Sequence, residues 1–281
     1  MTLGHFVAQA RETLRTGGVP PDEAAGDAEF LARHALGCDL TQYVLSRDRL
    51  PPSEFPQRFT ALINRRLQRE PVSQIVGSRE FWGLEFEVTR DVLTPRPETE
   101  LIVEVALETF PRNAALVIMD VGTGSGCLAV ALATEFRSAT VIASDISPAA
   151  LEVAQRNAAR HAVADRIDFR LTDLLDGVAE RADLIVSNPP YVASRDSVSL
   201  PPEVREFEPD IALFAGPDGL GVYRRLFPIA AERLRTGGRL IVEVGYGQAT
   251  VVPALAAGSG WRVERAREDL QGITRTIVFY R

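Results

Sequence analysis

Asn188-Pro189-Pro190-Tyr191 follows the apolar run Leu184-Ile185-Val186, and a glycine-rich turn, Gly122-Thr123-Gly124-Ser125-Gly126, lies upstream of it. Together these segments point to methylation of a planar nitrogen. The nitrogen of an amide, or of an amino group on an aromatic ring, shares its lone pair with a π system and is a poor nucleophile. The Asn188 side-chain oxygen and the Pro189 carbonyl can each accept one N–H of a target NH₂ group, with Tyr191 against its flat face. Proline fixes φ and removes a competing backbone donor, so the acceptors are preorganised.

The glycine turn closes one expected strand and opens a helix, where glycine lets a ligand approach the backbone and the first N–H groups lack partners. A dinucleotide fingerprint Gly-x-Gly-x-x-Gly is not met, because the sixth position from Gly122 is Cys127 and from Gly124 is Ala129. S-adenosylmethionine, a cation without pyrophosphate, suits the turn and the acid Asp120 before it. Asp145 follows the next strand, where it can take the ribose hydroxyls. Asp173 follows the one after and can accept from the adenine amino group, with Leu174 on the ring. Three acids at the carboxyl ends of successive strands lie where open α/β sheets bind ligands.

The elements that must position these residues fall into two kinds. Residues 1–70 carry helical spacing (Phe6-Val7, Ala10, Leu14; Ala24-Ala25, Phe30-Leu31, Ala35-Leu36; Phe59, Leu62-Ile63, Leu67) broken at Gly17 to Pro21 and at Pro51-Pro52. They are expected to form a small helical domain. Residues 71–94 are expected to form a β-hairpin linking two domains, with strands at Val72 to Val76 and Phe81 to Val88. From residue 95 to 281 strands alternate with helices: strands at 116–121, 140–144, 167–171, 184–187, 240–244, 261–264 and 275–280, helices at 98–109, 125–136, 148–161, 219–235 and 247–256. That alternation predicts an α/β domain built on a mostly parallel sheet, its last strand running antiparallel.

All 31 basic residues are arginine, which excludes catalytic lysine, and the formal net charge is −7. Residues 1–75 carry nine acids and nine arginines, while residues 176–210 carry eight acids and three arginines. The neighbourhood of Asn188 is therefore expected to repel a nucleic-acid backbone and to attract a basic protein surface. The acidic stretch Glu203, Glu206, Glu208 and Asp210 is read as one flank of a protein-substrate cleft. Cys38 and Cys127 are expected to be ordinary thiols, and His5, His34 and His161 have no metal-like spacing, so no metal is expected. The N-terminus has no signal core and no window is long enough for a membrane span; the expected location is the cytoplasm.

With Arg79-Glu80-Phe81-Trp82-Gly83-Leu84, Pro95-Arg96-Pro97-Glu98-Thr99-Glu100, Glu208-Pro209, Ala212-Leu213 and Asp218-Gly219-Leu220 added to the two motifs, the chain resembles the bacterial protein-glutamine methyltransferases that modify peptide-chain release factors, often called HemK or PrmC. The resemblance covers essentially the whole chain. It implies a Rossmann-like S-adenosylmethionine-dependent methyltransferase domain behind a helical domain that helps to hold the release factor. It also implies methylation of the side-chain amide nitrogen of the glutamine in a Gly-Gly-Gln loop. Carried over by position, Gly122, Thr123, Gly124, Ser125, Gly126, Asp145, Asp173, Leu174 and Asn188 would hold the cofactor, and Asn188, Pro189, Pro190 and Tyr191 the glutamine. Some relatives have an aromatic residue in place of Leu174 or of Gln74. The expected assembly is a monomer with no direct nucleic-acid partner. The alternatives are a nucleic-acid amino-group methyltransferase, since the same acceptors serve any planar NH₂, and a non-catalytic binding protein on the same fold. A nicotinamide oxidoreductase is more distant.

Overall fold

The computed structural model describes residues 1–281, which divide into two compact units, Met1–Gly77 with Pro201–Phe207 and Ser78–Leu200 with Glu208–Arg281. In the first unit the helices are α1 (Leu3–Thr16), α2 (Pro21–Leu36), α3 (Leu40–Ser46), α4 (Phe55–Leu67) and α5 (Val72–Val76). Proline at the first turn and acids at Asp22 and Glu23 start α2, and Gly37 at φ 64 ends it. Asp39 and Gln42 form a reciprocal capping box at the head of α3. Leu14, Leu31, Phe55 and Phe59 lie in one buried cluster, with Phe55 and Phe59 stacked at 5.0 Å. Buried Arg66 of α4 is shared among Asp27 (2.7 Å), Glu23 (2.9 Å) and Glu203 (2.7 Å).

The expected strand at Val72 to Val76 is instead the helix α5. Pro71 sets its first turn, Gly77 ends it at φ 77, and Ile75 is buried in the helical cluster. Tertiary packing outweighs the β preference of Val and Ile. The hairpin is shorter than expected, β1 (Ser78–Phe81) paired antiparallel with β2 (Leu84–Glu87). Trp82 and Gly83 form its two-residue turn with φ of 55 and 69, the positive-φ pair that matches strand twist. Phe81 and Phe86 are buried in the core of the second unit; the hairpin packs within that unit, where sequence reasoning placed it as a link.

The second unit continues with α6 (Glu100–Thr109), β3 (Val117–Val121), α7 (Cys127–Glu135), β4 (Thr140–Asp145), α8 (Pro148–Arg160), β5 (Ile167–Leu171) and β6 (Ala182–Ser187). The chain then runs through α9 (Pro202–Phe207), which belongs to the helical unit, and returns as α10 (Asp210–Leu213), α11 (Gly221–Arg233), β7 (Leu234–Glu243), α12 (Val251–Ala257), β8 (Arg262–Glu268) and β9 (Thr274–Tyr280). The sheet order is β5-β4-β3-β6-β7-β9-β8, with β9 antiparallel to both of its neighbours and the pairs from β5 to β7 parallel. Alternate residues of each strand feed two cores: Ile118, Leu184 and Val186 meet α6 and α7 on one face, and Met119, Ile185 and Leu240 meet α11 and α12 on the other. No helix is long and apolar enough to cross a membrane.

Candidate active site

At the carboxyl ends of β3, β4 and β6 a cleft is lined by Gly122 to Ser125, Asp145, Ile146, Asp173, Leu174, Asn188 and Pro190, and is closed by Pro95, Arg96, Thr99, Phe214 and Arg225. The glycine turn is held from beneath. Gly122 and Thr123 both donate to the Ser144 carbonyl at 2.9 Å. Asp120 lies buried under the turn, outside the cleft lining, and its Oδ2 accepts from Thr123 Oγ1 (2.6 Å) and Ala129 N–H (3.0 Å). Burial raises its carboxyl to about 7. Sequence reasoning matched this acid to the positive charge of the cofactor; the structure places it beneath the turn as its anchor.

The glycines differ in what they do. Gly122 (φ 74) and Gly124 (φ 55) have open space where a Cβ would project, and both line the cleft. Gly126 (φ 80) does not line it; a Cβ there would meet the Ala154 Cβ at 2.9 Å and Cα at 3.1 Å on α8. It is a packing glycine, not a ligand-facing one. Buried Asn157 of α8 joins the parts, donating to the Ser125 carbonyl (2.9 Å) and the Glu87 carbonyl (3.1 Å) and accepting from Glu87 N–H (2.7 Å).

Asp145 accepts Gly124 N–H at 2.8 Å on Oδ2 and Ser147 N–H at 2.9 Å on Oδ1. A carboxylate oxygen has two lone-pair sites, so each still has one for a ribose hydroxyl. Burial pushes the Asp145 carboxyl upward, opposed by these backbone donors. Asp173 Oδ2 is held by Arg225 at 2.6 Å, a partner that sequence reasoning missed. Leu174 adopts φ 53, a left-handed conformation that costs about 1–2 kcal/mol for a residue with a Cβ. Exposed Ile146 also lines the cleft.

Asn188 sits at the end of β6 with its Nδ2 donating to Thr99 Oγ1 at 3.0 Å, and Thr99 donates to Glu243 Oε2 at 2.6 Å. Pro189 is buried and, like Tyr191, lies outside the cleft lining. The Tyr191 hydroxyl donates to Glu243 Oε1 at 3.3 Å, and its backbone carbonyl accepts from Gln248 Nε2 at 3.1 Å. Burial raises the Tyr191 phenol above its usual range, so it stays protonated. Gly219 lets this segment pass, since a Cβ there would meet the Tyr191 carbonyl oxygen at 2.4 Å. Glu243 ends an apolar strand run and was missed, although an acid embedded in Leu240-Ile241-Val242-Glu243-Val244 was the available signal.

The acidic stretch departs from expectation. Glu203 pairs with Arg66 and Arg69 inside the helical unit. Glu208 is buried and bound by Arg96 at 2.6 Å. Neither is presented as a free charge, and only Glu206 and Asp210 remain exposed.

Residues 5–77 match the family described as PrmC N-terminal domain, and residues 100–200 match Methyltransferase small domain. The release factor glutamine methyltransferase of Cereibacter sphaeroides is 47% identical over 91% of this chain and 91% of its own length. That of Bradyrhizobium diazoefficiens is 42% identical over 98% of this chain and 94% of its own. The chain belongs to the release factor glutamine methyltransferase family. A methyltransferase from Pyrococcus furiosus, 19% identical with a TM-score of 0.54, covers 77% of this chain and 97% of its own. A 16S rRNA methyltransferase from T. Thermophilus, solved with AdoMet and guanosine, is 18% identical with a TM-score of 0.50 over 72% of this chain and 48% of its own. These two establish the Rossmann-like fold, as the sheet order does, and family membership makes the chain a methyltransferase.

Proposed function

We propose that this protein transfers a methyl group from S-adenosylmethionine to the side-chain amide nitrogen of the glutamine in the Gly-Gly-Gln loop of peptide-chain release factors, in the cytoplasm. The observation that carries the reading is the Asn188 carboxamide at the rim of the glycine-turn cleft, its nitrogen engaged by Thr99 and its oxygen left to accept. The cleft fits the cofactor. Gly122 and Gly124 offer bare backbone, Asp145 retains acceptor capacity for two hydroxyls, and Ile146 and Leu174 give apolar surface for the adenine. When bound there, S-adenosylmethionine supplies an electrophilic methyl carbon.

The protein's own part is alignment. The Asn188 Oδ1, which faces the cleft, accepts one N–H of the target amide, and the family resemblance assigns the other N–H to the main-chain carbonyl of Pro189, whose ring is buried behind the lining; the pair localises the lone pair on nitrogen and aims it. Tyr191, held at its hydroxyl by Glu243, keeps that segment rigid. No general base is needed, because the nitrogen turns acidic once its lone pair is committed and water can take the proton. The Asp120 and Glu243 carboxyls are buried away from solvent and do not serve as that base. Labelled methyl transfer tests the reading. Label is expected in an unmodified release factor and not in one whose loop glutamine is alanine; label in RNA or DNA, with none in release factor, would favour the nucleic-acid alternative.

A further inference from the structure

The Asn188 carboxamide is the outer end of a buried chain drawn from three parts of the sequence. Thr99 closes the 3-10 turn Pro97–Thr99 before α6, Glu243 ends β7, and Asn188 follows the neighbouring strand β6. Thr99 and Glu243 are 2% and 1% exposed, so water cannot stand in for either. A hydroxyl has one proton and two lone pairs, and an ionised carboxylate only accepts. With Thr99 Oγ1 2.6 Å from Glu243 Oε2, the single proton points to Glu243, and Thr99 is left able only to accept. The Asn188 nitrogen must then face Thr99 at 3.0 Å, and the oxygen must face the cleft.

We propose that Glu243, acting through Thr99, is a positioning residue that dictates which end of the Asn188 carboxamide meets the substrate amide. This rests on the proposed function above. The same carboxyl steadies Tyr191 through its hydroxyl, while Tyr223 of α11 donates to the Glu243 main-chain carbonyl at 2.7 Å. No arginine forms an ion pair with Glu243. Glu98 on the adjoining turn adds like charge, Arg275 of β9 is bound to Asp269 at 2.9 Å, and Cys127 of α7, Tyr191 and Tyr223 are the other titratable groups facing it. Its charge therefore rests first on hydroxyl donors, with the field of Arg275 a weaker support, and burial raises its carboxyl to about 7. When Glu243 takes a proton that single order is lost. The carboxylic O–H can then donate to Thr99 and free the Thr99 proton for Asn188, so the carboxamide is no longer held with its oxygen outward and also populates the orientation with its nitrogen in the cleft, where it repels the substrate N–H groups. Methyl transfer should rise with pH through the neutral range as Glu243 ionises.

The test compares wild type, Thr99→Val, Thr99→Ser and Glu243→Gln by kcat and KM for methyl transfer to release factor, by the pH profile of kcat, and by calorimetric binding of S-adenosylmethionine. Thr99→Val should lower kcat by about 100-fold, as misplacement of a reacting group does, with cofactor affinity changed by less than about 2-fold. Thr99→Ser, which keeps the hydroxyl, should return kcat to within about 3-fold of wild type. Glu243→Gln should lose the neutral-range inflection. The inference is overturned if Thr99→Val retains wild-type kcat, if Thr99→Ser falls as far as Thr99→Val, or if Glu243→Gln keeps the inflection. Should the valine variant not fold, the serine and glutamine variants still decide. A wild-type protein that methylates no release factor would refute the proposed function itself, and this inference with it.

Discussion

Gly124 and Gly126 share a positive φ and differ in what stands beyond the missing Cβ, so replacing each with alanine separates folding from binding. Gly124 opens on the cleft with nothing within 4 Å of a built Cβ. Its alanine variant incurs the left-handed penalty of about 1–2 kcal/mol, offset by about 0.4–1 kcal/mol of unfolded-state entropy. The net loss of stability is about 1 kcal/mol by the same figures. The methyl group then occupies space that the cofactor needs, and an overpacking cost of about 1–3 kcal/mol corresponds to about 5- to 150-fold weaker binding. At Gly126 the Cβ would stand 2.9 Å from the Ala154 Cβ and 3.1 Å from its Cα, in a helix that Asn157 ties to the turn. The same overpacking cost now falls on folding, so Gly126→Ala should destabilise by about 2–4 kcal/mol. Urea unfolding of the ligand-free protein gives the stabilities, and calorimetry with S-adenosylmethionine gives the affinities. Equal stability loss at the two sites, or a Gly124→Ala protein with wild-type affinity, would refute the assignment of the two glycines.

Asn188→Ala should reduce kcat by about 100- to 1,000-fold, the usual cost of removing a preorganised partner of the reacting group, with a much smaller loss of cofactor affinity because Asn188 is one of many residues lining the cleft; binding and single-turnover assays together check it. Arg66→Ala strands Asp27, Glu23 and Glu203 around a site 3% exposed. Breaking a buried charge network costs about 3–5 kcal/mol; with Glu23 half exposed the lower end is expected, measured by urea unfolding. Asp120 and Glu243 are held by burial at about 7, above their ordinary values of 3.8 and 4.5. A raised carboxyl binds its proton more tightly in the folded chain, so its stabilising contribution is complete below pH of about 4 and is lost as pH rises through about 7. Asp120→Asn, which can still accept from Ala129 N–H, should make unfolding free energy less dependent on pH across that window.

The motifs were legible because each repeats a local rule. Ser147-Pro148 gives a capped start to α8, with Ser147 Oγ accepting from Ala150 N–H at 3.2 Å, and the alternation of apolar strands with helices yields the parallel sheet. Residues 72–76 were not legible, because a Val/Ile-rich run of that length fits a strand or a buried helix turn equally, and packing into the apolar cluster of the helical unit decides it. Asp120 and Asp145 look alike in sequence as strand-end acids. Only the packing of the turn shows that one is buried beneath it and the other faces the cleft. Glu243, Thr99, Asn157 and Arg225 act through partners 32 or more residues away in sequence, and spacing carries no trace of such pairs. The acids Glu203 and Glu208 misled for the same reason, since their arginine partners Arg66 and Arg96 lie over a hundred positions upstream.

Mass spectrometry of the peptide spanning the Gly-Gly-Gln loop, taken after an unmodified release factor is incubated with this protein and S-adenosylmethionine, tests the central claim most directly. One methyl group added to the glutamine side chain is the result the account predicts. An unmodified loop peptide from a protein shown to bind the cofactor would contradict it.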